Sequence, residues 1–350
     1  MTIKRIYPFI AITAAFLIGA VIIAAMGKNP FIAYTIMLTG VCAGKNDFAN
    51  MLLHTTPLLF SGAAMAFAFR AGLFNIGVQG QMIAGGLAAV AVGAFVPSPF
   101  LGNVVVALLA GGTVAMLWAG IAGVLKARFG AHEVITTIML NYIAYSLEIH
   151  FLNTIMKEGG VNGPSPQTPP ITAWAKLPSI LPPTSVNVGL LLGIVCVVVL
   201  WFVMERTKLG YEIRAVGLNP HAAKNAGIST VMITIAVMMI SGFVAGLGGA
   251  ERILGGINQD RYILGSMAEY GFDGIAVALV GKNHPLGIIG AALLFGLLRT
   301  GAMNMQFEMG IPNQISIILQ ALIIVFIVAE NGVGVLSAAI KKRILGKRAS

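Results

Sequence analysis

The chain is built from long apolar runs separated by short polar punctuation. Ten runs stand out, over residues 6–26, 50–69, 80–97, 103–125, 133–153, 187–204, 229–249, 270–281, 286–303 and 312–330. Most match the length of a helix that crosses about 30 Å of hydrocarbon at about 1.5 Å per residue. The eighth is too short to cross alone as a regular helix. Spanning β-strands would read as short segments of alternating polarity, and these runs are continuous instead. The pattern therefore predicts an all-α polytopic membrane protein with about ten transmembrane segments, some of them broken or half-spanning.

Composition agrees with this reading. Hydrophobic residues make up 57% of the 350 positions and charged ones 10%, far below the quarter usual in soluble domains. The net charge of +10 would suggest nucleic acid in a soluble protein. Here the charges sit in loops and tails, so they report orientation and imply no nucleic-acid partner. With the N-terminus inside, ten crossings leave fifteen basic residues on the inner side: Lys4, Arg5, Arg70, Lys126, Arg128, Arg206, Lys208, Arg214, Lys224, Lys282, Lys341, Lys342, Arg343, Lys347 and Arg348. Six fall outside, namely Lys28, Lys45, Lys157, Lys176, Arg252 and Arg261, and Arg299 lies within a span. That bias predicts both termini in the cytoplasm. The first run exceeds a signal-peptide core and reads as a retained span. One transmembrane domain then covers 1–350: first span 6–26, core 50–330, external Pro-rich loop 157–184, cytoplasmic segment 205–228 and basic tail 339–350. Seven prolines exclude a regular helix from the external loop. It reads as an ordered surface, with Trp174 as an interfacial anchor. Cys42 reads as external and Cys196 as intramembrane, so no disulfide is expected.

Two stretches depart from plain spans: "FRAGLFNIGVQGQMIAGG" from Phe69 and "GSMAEYGFDGIAVALVGKNHPLG" from Gly265. Both place glycines and polar groups at membrane depth, where irregular backbone survives only inside protein or along a cavity. Paired interruptions of this kind mark transport pathways. Asn75, Gln79, Gln81, Asn141 and Asp273 are candidates to line such a path. Helix–helix hydrogen bonding is the other reading of the amides, and capping of a half-helix is the other reading of Asp273. Glu148 and His150 lie near the outer end of their run, within reach of water. Arg299 and Gln320 are further intramembrane polar groups.

The segment "YEIRAVGLNPHAAKNAGIS", Tyr211 to Ser229, sits between two spans on the predicted cytoplasmic side. Asn219 is placed as an N-cap and Pro220 as an early helical residue, with Gly227 as the stop. A short capped helix over 220–226, bounded by Gly217 and Gly227, has little stability alone and is expected to dock on a partner.

No P-loop occurs, since "TGVCAGKN" and "AVALVGKN" lack both the upstream glycine and the following hydroxyl residue. Neither H-E-x-x-H nor G-x-S-x-G is present. The histidines and cysteines show no metal spacing. A membrane enzyme fits poorly, and secondary transport remains the alternative to an ATP-driven system.

The segment from Gly210 to Ile228 closely resembles the cytoplasmic coupling segment of ABC importer permeases of the branched-chain amino acid, ribose and nucleoside type. Gly210, Arg214, Ala215, Val216, Gly217, Asn219, Ala222, Ala223, Gly227 and Ile228 carry the match. "AGLFNIGVQGQM" and "GFDGIAVALVGKNHPLG" resemble the same family, and within it the longer permease of nucleoside importers. The resemblance, over about 50 to 330, implies a type-II-like importer core in a bacterial cytoplasmic membrane. Gly210, Glu212, Arg214, Gly217, Asn219, Pro220, Ala222, Ala223 and Gly227 would meet the ATPase. It implies four partners: an ATPase with two fused nucleotide-binding halves, a second permease, a lipid-anchored extracellular binding protein and a nucleoside, with a sugar such as ribose as the alternative solute. No cofactor is expected on this chain; ATP and Mg belong to the ATPase.

Overall fold

Glycine and alanine at four-residue spacing let the helices of this protein approach backbone to backbone. The computed structural model describes residues 3–97, 99–100, 103–255, 260–267, 269–315 and 317–326. Among these the chain is helical, with two isolated β-bridges and no strand. It divides into two units, 1–44 with 297–350, and 45–296.

The first unit opens with α1 (Ile3–Ala25) and α2 (Pro30–Gly40), which meet at a bend of 120°. Gly27 adopts φ 74° and Pro30 opens the second helix. Asn29 caps it, accepting from Phe31 N at 2.9 Å. No apolar run of the sequence covers α2, which lies between the first two runs. The rest of this unit holds the later part of α12 (Pro285–Met309) and a short apolar helix, Ile317–Phe326. The basic tail 339–350 lies outside the described residues.

The second unit contains α3 (Lys45–Arg70), α4 (Val78–Phe95), α5 (Val104–Phe129), α6 (Glu133–Asn153), α7 (Gly189–Arg206), α8 (Lys208–Leu218), α9 (Pro220–Asn225), α10 (Thr230–Leu254) and α11 (Tyr270–Val280), with the start of α12. Helix α10 packs on α5, α4 and α3. A methyl on Gly246 would come 2.5 Å from the Gly111 carbonyl oxygen, and one on Gly249 would come closer still to the Met82 carbonyl oxygen. Small residues therefore permit the contact, as membrane helices require in the absence of a hydrophobic drive. Helices α3 and α4 are mostly buried, whereas α5 and α7 turn leucine, valine and phenylalanine outward at Leu109, Leu117, Val198 and Phe202. Pro57 interrupts the α3 ladder, and the hydroxyls of Thr55 and Thr56 donate back to Met51 O and Leu52 O at 2.8 and 2.9 Å.

Among the described residues six helices, α3, α4, α5, α7, α10 and α12, are long and apolar enough to cross a membrane, or seven spans if the bent α1–α2 pair counts as one. This is fewer than the ten runs of the sequence. Helix α6 carries threonines, Asn141 and Glu148, which lower its hydropathy, and α11 is 11 residues long. The protein is a multi-pass membrane protein.

The Pro-rich loop has a single 3₁₀ turn at Ala173–Ala175. Main-chain bonds hold it. Thr168 N donates to Tyr262 O at 3.0 Å, Ile171 N to Asp260 O at 2.9 Å, Thr172 N to Gly93 O at 2.9 Å and Leu177 N to Leu254 O at 2.8 Å. Lys176 pairs with Asp260 and Arg261 with Glu158, and Trp174 is exposed. Cys42 and Cys196 are free thiols, the latter within α7.

Candidate coupling segment and polar core

The segment from Thr207 to Gly227 forms two helices where one was expected. Thr207 caps α8, its hydroxyl accepting from Gly210 N at 3.2 Å. Asn219 ends α8 and caps α9, accepting from His221 N and Ala222 N, both at 3.1 Å. Gly227, at φ 83°, stops α9 where a left-handed residue closes a helix without strain. The N-cap, the proline and the stop thus sit where the sequence places them.

Gly217 does not bound a lone helix; it lies in the last turn of α8. A methyl there would come 2.5 Å from Arg70 O and 2.8 Å from the carbonyl carbon of Ala71. Gly210 likewise faces the backbone of Val203 and Met204. Both glycines are packing contacts that fasten α8 against the ends of α3 and α7. Arg214 donates to the Met204 carbonyl and lies 3.4 Å from Glu205, whose other oxygen pairs with Arg70. Glu212 pairs with Lys208 at 3.7 Å. On α9 the two alanines divide: Ala223 is buried, while Ala222 is exposed along with Pro220, His221 and Lys224. Leu218, at the elbow between α8 and α9, is 88% exposed. Beside the elbow is a cavity of about 320 Å³, lined by Gly72, Leu73, Val216 and Gly217, with the Lys126–Glu133 pair (2.8 Å) in its wall.

From Ala71 the chain climbs through a non-helical stretch to α4. Its one polar side chain, Asn75, is fully hydrogen-bonded. Asn75 donates to Ser241 Oγ at 2.9 Å and to Gln81 Oε1 at 3.1 Å. It accepts from Gln81 Nε2 at 2.9 Å and Gly77 N at 3.1 Å. These four bonds fill its capacity. Ser241 passes its own proton to Ala64 O at 2.8 Å. Asn141 spans the break, donating to Ile76 O at 2.9 Å and accepting from Gly80 N at 2.8 Å. Gln79 receives Gly271 N at 2.8 Å. A methyl on Gly271 would strike the Gln79 backbone, so the N-terminal ends of α4 and α11 meet at this residue. Asn75, Gln79, Gln81 and Asn141 therefore form one buried node.

Asp273 stands in the first turn of α11 and does not occupy its cap position, which is Glu269 at φ 23°. Glu148 is buried, accepting from Gly265 N at 3.3 Å, and does not reach water; His150 is exposed. Arg252, assigned to an outer loop by the end of its apolar run, lies inside α10, which continues to Leu254. It is 8% exposed, and its guanidinium carbon lies 5.0 Å from the Tyr270 ring centroid. Tyr270 is in turn 2.7 Å from His54 Nδ1. The neighbouring Glu251 accepts from Asn187 Nδ2 at 3.2 Å. The sequence did not single out Arg252, Tyr270 or His54 for a site. The adjacent Glu251–Arg252 pair at the end of an apolar run was the available signal.

A family model described as "Branched-chain amino acid transport system / permease component" matches residues 48–328. The chain belongs to this permease family. Among its relatives is the guanosine ABC transporter permease protein NupP of Bacillus subtilis, 36% identical over 96% of each chain. The nucleoside ABC transporter permease protein NupB of Lactococcus lactis is 36% identical over 94% of this chain and 92% of its own. The glucose ABC transporter permease protein TsgB13 of Haloferax volcanii is 32% identical over 93% and 87%. No solved structure matches. The family match contains the elbow and the node whole and leaves α1 and α2 outside.

Proposed function

We propose that this permease is a membrane subunit of an ATP-driven importer that carries a nucleoside into the cell. Near-full-length similarity to two nucleoside permeases at equal identity carries this reading. A sugar is the second reading, favoured by the glucose relative. In the proposed orientation ten segments cross the bacterial cytoplasmic membrane, both termini are cytoplasmic, and the α8–α9 elbow faces the cytoplasm.

The elbow is the proposed contact for the ATPase, which has two nucleotide-binding halves and holds ATP and Mg. Gly210, Arg214 and Gly217 join α8 rigidly to the spans. Glu212, Asn219, Pro220, Ala222, Ala223 and Gly227 shape the part that docks. Closing the ATPase would move the elbow, and the stretch after Ala71 would carry that movement to the node. The solute path is proposed to run past Asn75, Gln79, Gln81, Asn141 and Asp273. A second permease completes the pathway; Bacillus subtilis and Lactococcus lactis each hold two permeases of this kind among the relatives. A lipid-anchored binding protein delivers the solute.

The test is uptake of labelled guanosine by the full complex in proteoliposomes, with unlabelled uridine, ribose and leucine as competitors. ATP-dependent uptake blocked by nucleosides and unmoved by ribose is the expected result. Competition by ribose alone would establish the sugar reading. Uptake persisting without ATP would make the protein a secondary transporter.

A further inference from the structure

The outer end of α10 holds a cation that neither the elbow nor the amide node uses. Arg252 is 8% exposed, and its Nε has no hydrogen-bond partner among the described residues. Among those residues no carboxylate forms an ion pair with it. The neighbouring Glu251 accepts from Asn187 at Oε1, and its Oε2 has no partner among the described residues, so the donors of Arg252 are not spent on it. A buried guanidinium in this condition is costly to keep, and ionisable groups at membrane depth default to function.

Its surroundings hold it in one place. The Tyr270 ring lies 5.0 Å from the guanidinium carbon, a cation–π distance. Tyr270 is fixed by His54 at 2.7 Å and by its place in α11, whose next residue bonds Gln79. Arg252, Tyr270 and His54 thus form a row across α10, α11 and α3, beside the junction of α4 and α11.

We propose that Arg252 determines solute specificity by donating to two adjacent acceptors on the edge of a nucleobase. This rests on the reading of the chain as a nucleoside permease. A guanidinium offers parallel N–H donors in a fixed fork. The matching edge on a nucleoside is that of a 6-oxopurine, where O6 and N7 stand side by side. An anion would also match the fork, but on the nucleoside reading the solute is uncharged, and the fork then takes a neutral pair of acceptors. A free sugar offers hydroxyls that donate as readily as they accept and presents no such edge.

The experiment uses the full complex in proteoliposomes, with the binding protein loaded to saturation with one nucleoside at a time. The preference of the permease is then read apart from that of the binding protein. ATP-dependent uptake of guanosine is compared with that of 7-deazaguanosine, which lacks the N7 acceptor. The wild type is expected to carry guanosine about tenfold faster or more. In Arg252→Gln the two rates should converge. Arg252→Lys should also lose most of the preference, because a point charge cannot make the forked contact, while keeping the charge if Arg252→Gln fails to assemble. A preference that persists in both variants, or a wild type that carries both nucleosides equally, overturns the role of Arg252 and leaves the nucleoside reading intact. A wild type that carries no nucleoside with ATP overturns the nucleoside reading itself.

Discussion

Asn75 makes four hydrogen bonds from one buried amide, to partners on its own loop, on α4 and on α10. Asn75→Ala would leave the Gln81 amide and Gly77 N without partners, while Ser241 keeps its bond to Ala64 O, at about 1–3 kcal/mol for each group left unsatisfied. A clear fall in the thermal midpoint of the purified complex is expected, with no comparable fall for Glu212→Ala at the surface. Equal midpoints would mean that water or a rearranged Gln81 replaces the lost bonds. The sequence shows Asn75 to be polar at membrane depth. It does not show Ser241, a partner 166 residues away, because spacing reports only neighbours on one element. The same limit hid Arg252: an apolar window ends where the charges begin, whether or not the helix does. At Glu158 the partners also set a pH response. Arg261 first, and Gln167 after it, hold its carboxyl below the ordinary carboxylate range. A depressed folded value means that the pair stabilises the loop fully above the usual carboxylate pKa and less as pH falls toward the lower one. The protection factor of the Thr168 amide, its exchange rate corrected for the intrinsic pH dependence, should therefore fall on acidification through the carboxylate range, and Glu158→Gln should flatten that dependence.

The elbow of α8 and α9 is the element whose design was most legible. Its N-cap, N1 proline and left-handed stop are local signals, and each sits where the pattern places it. Helix α8 is less legible, because Gly217 reads as a boundary when it is a close contact inside a helix. Two substitutions separate the parts of this element. Gly217→Val would force α8 away from the Arg70–Ala71 backbone and should sharply reduce uptake while ATP hydrolysis by the complex continues. Leu218→Asp leaves the packing untouched, since Leu218 is 88% exposed, and should instead weaken co-purification of the ATPase. If Leu218→Asp retained full binding and uptake, the docking face would lie elsewhere.

For the whole molecule, the apolar runs foretold the helices and the polar interruptions foretold the broken core. The α1–α2 bend escaped notice because four residues, Met26 to Asn29, suffice to turn the chain by 120°. Orientation is open to a direct check with the native thiols. Cys42 is exposed and Cys196 lies within α7. A membrane-impermeant maleimide added to whole cells should label Cys42 and spare Cys196, and labelling of Cys42 only after lysis would invert the proposed topology. The external loop carries a different consequence. Its shape is set largely by main-chain bonds to Gly93, Leu254, Asp260 and Tyr262, which nearly every residue type can make. Exposed positions such as Val161 and Trp174 are therefore free to diverge over evolutionary time while the loop keeps its contour. A loop held in this way is a graft site: side chains taken from a relative should be accepted here without refolding the core.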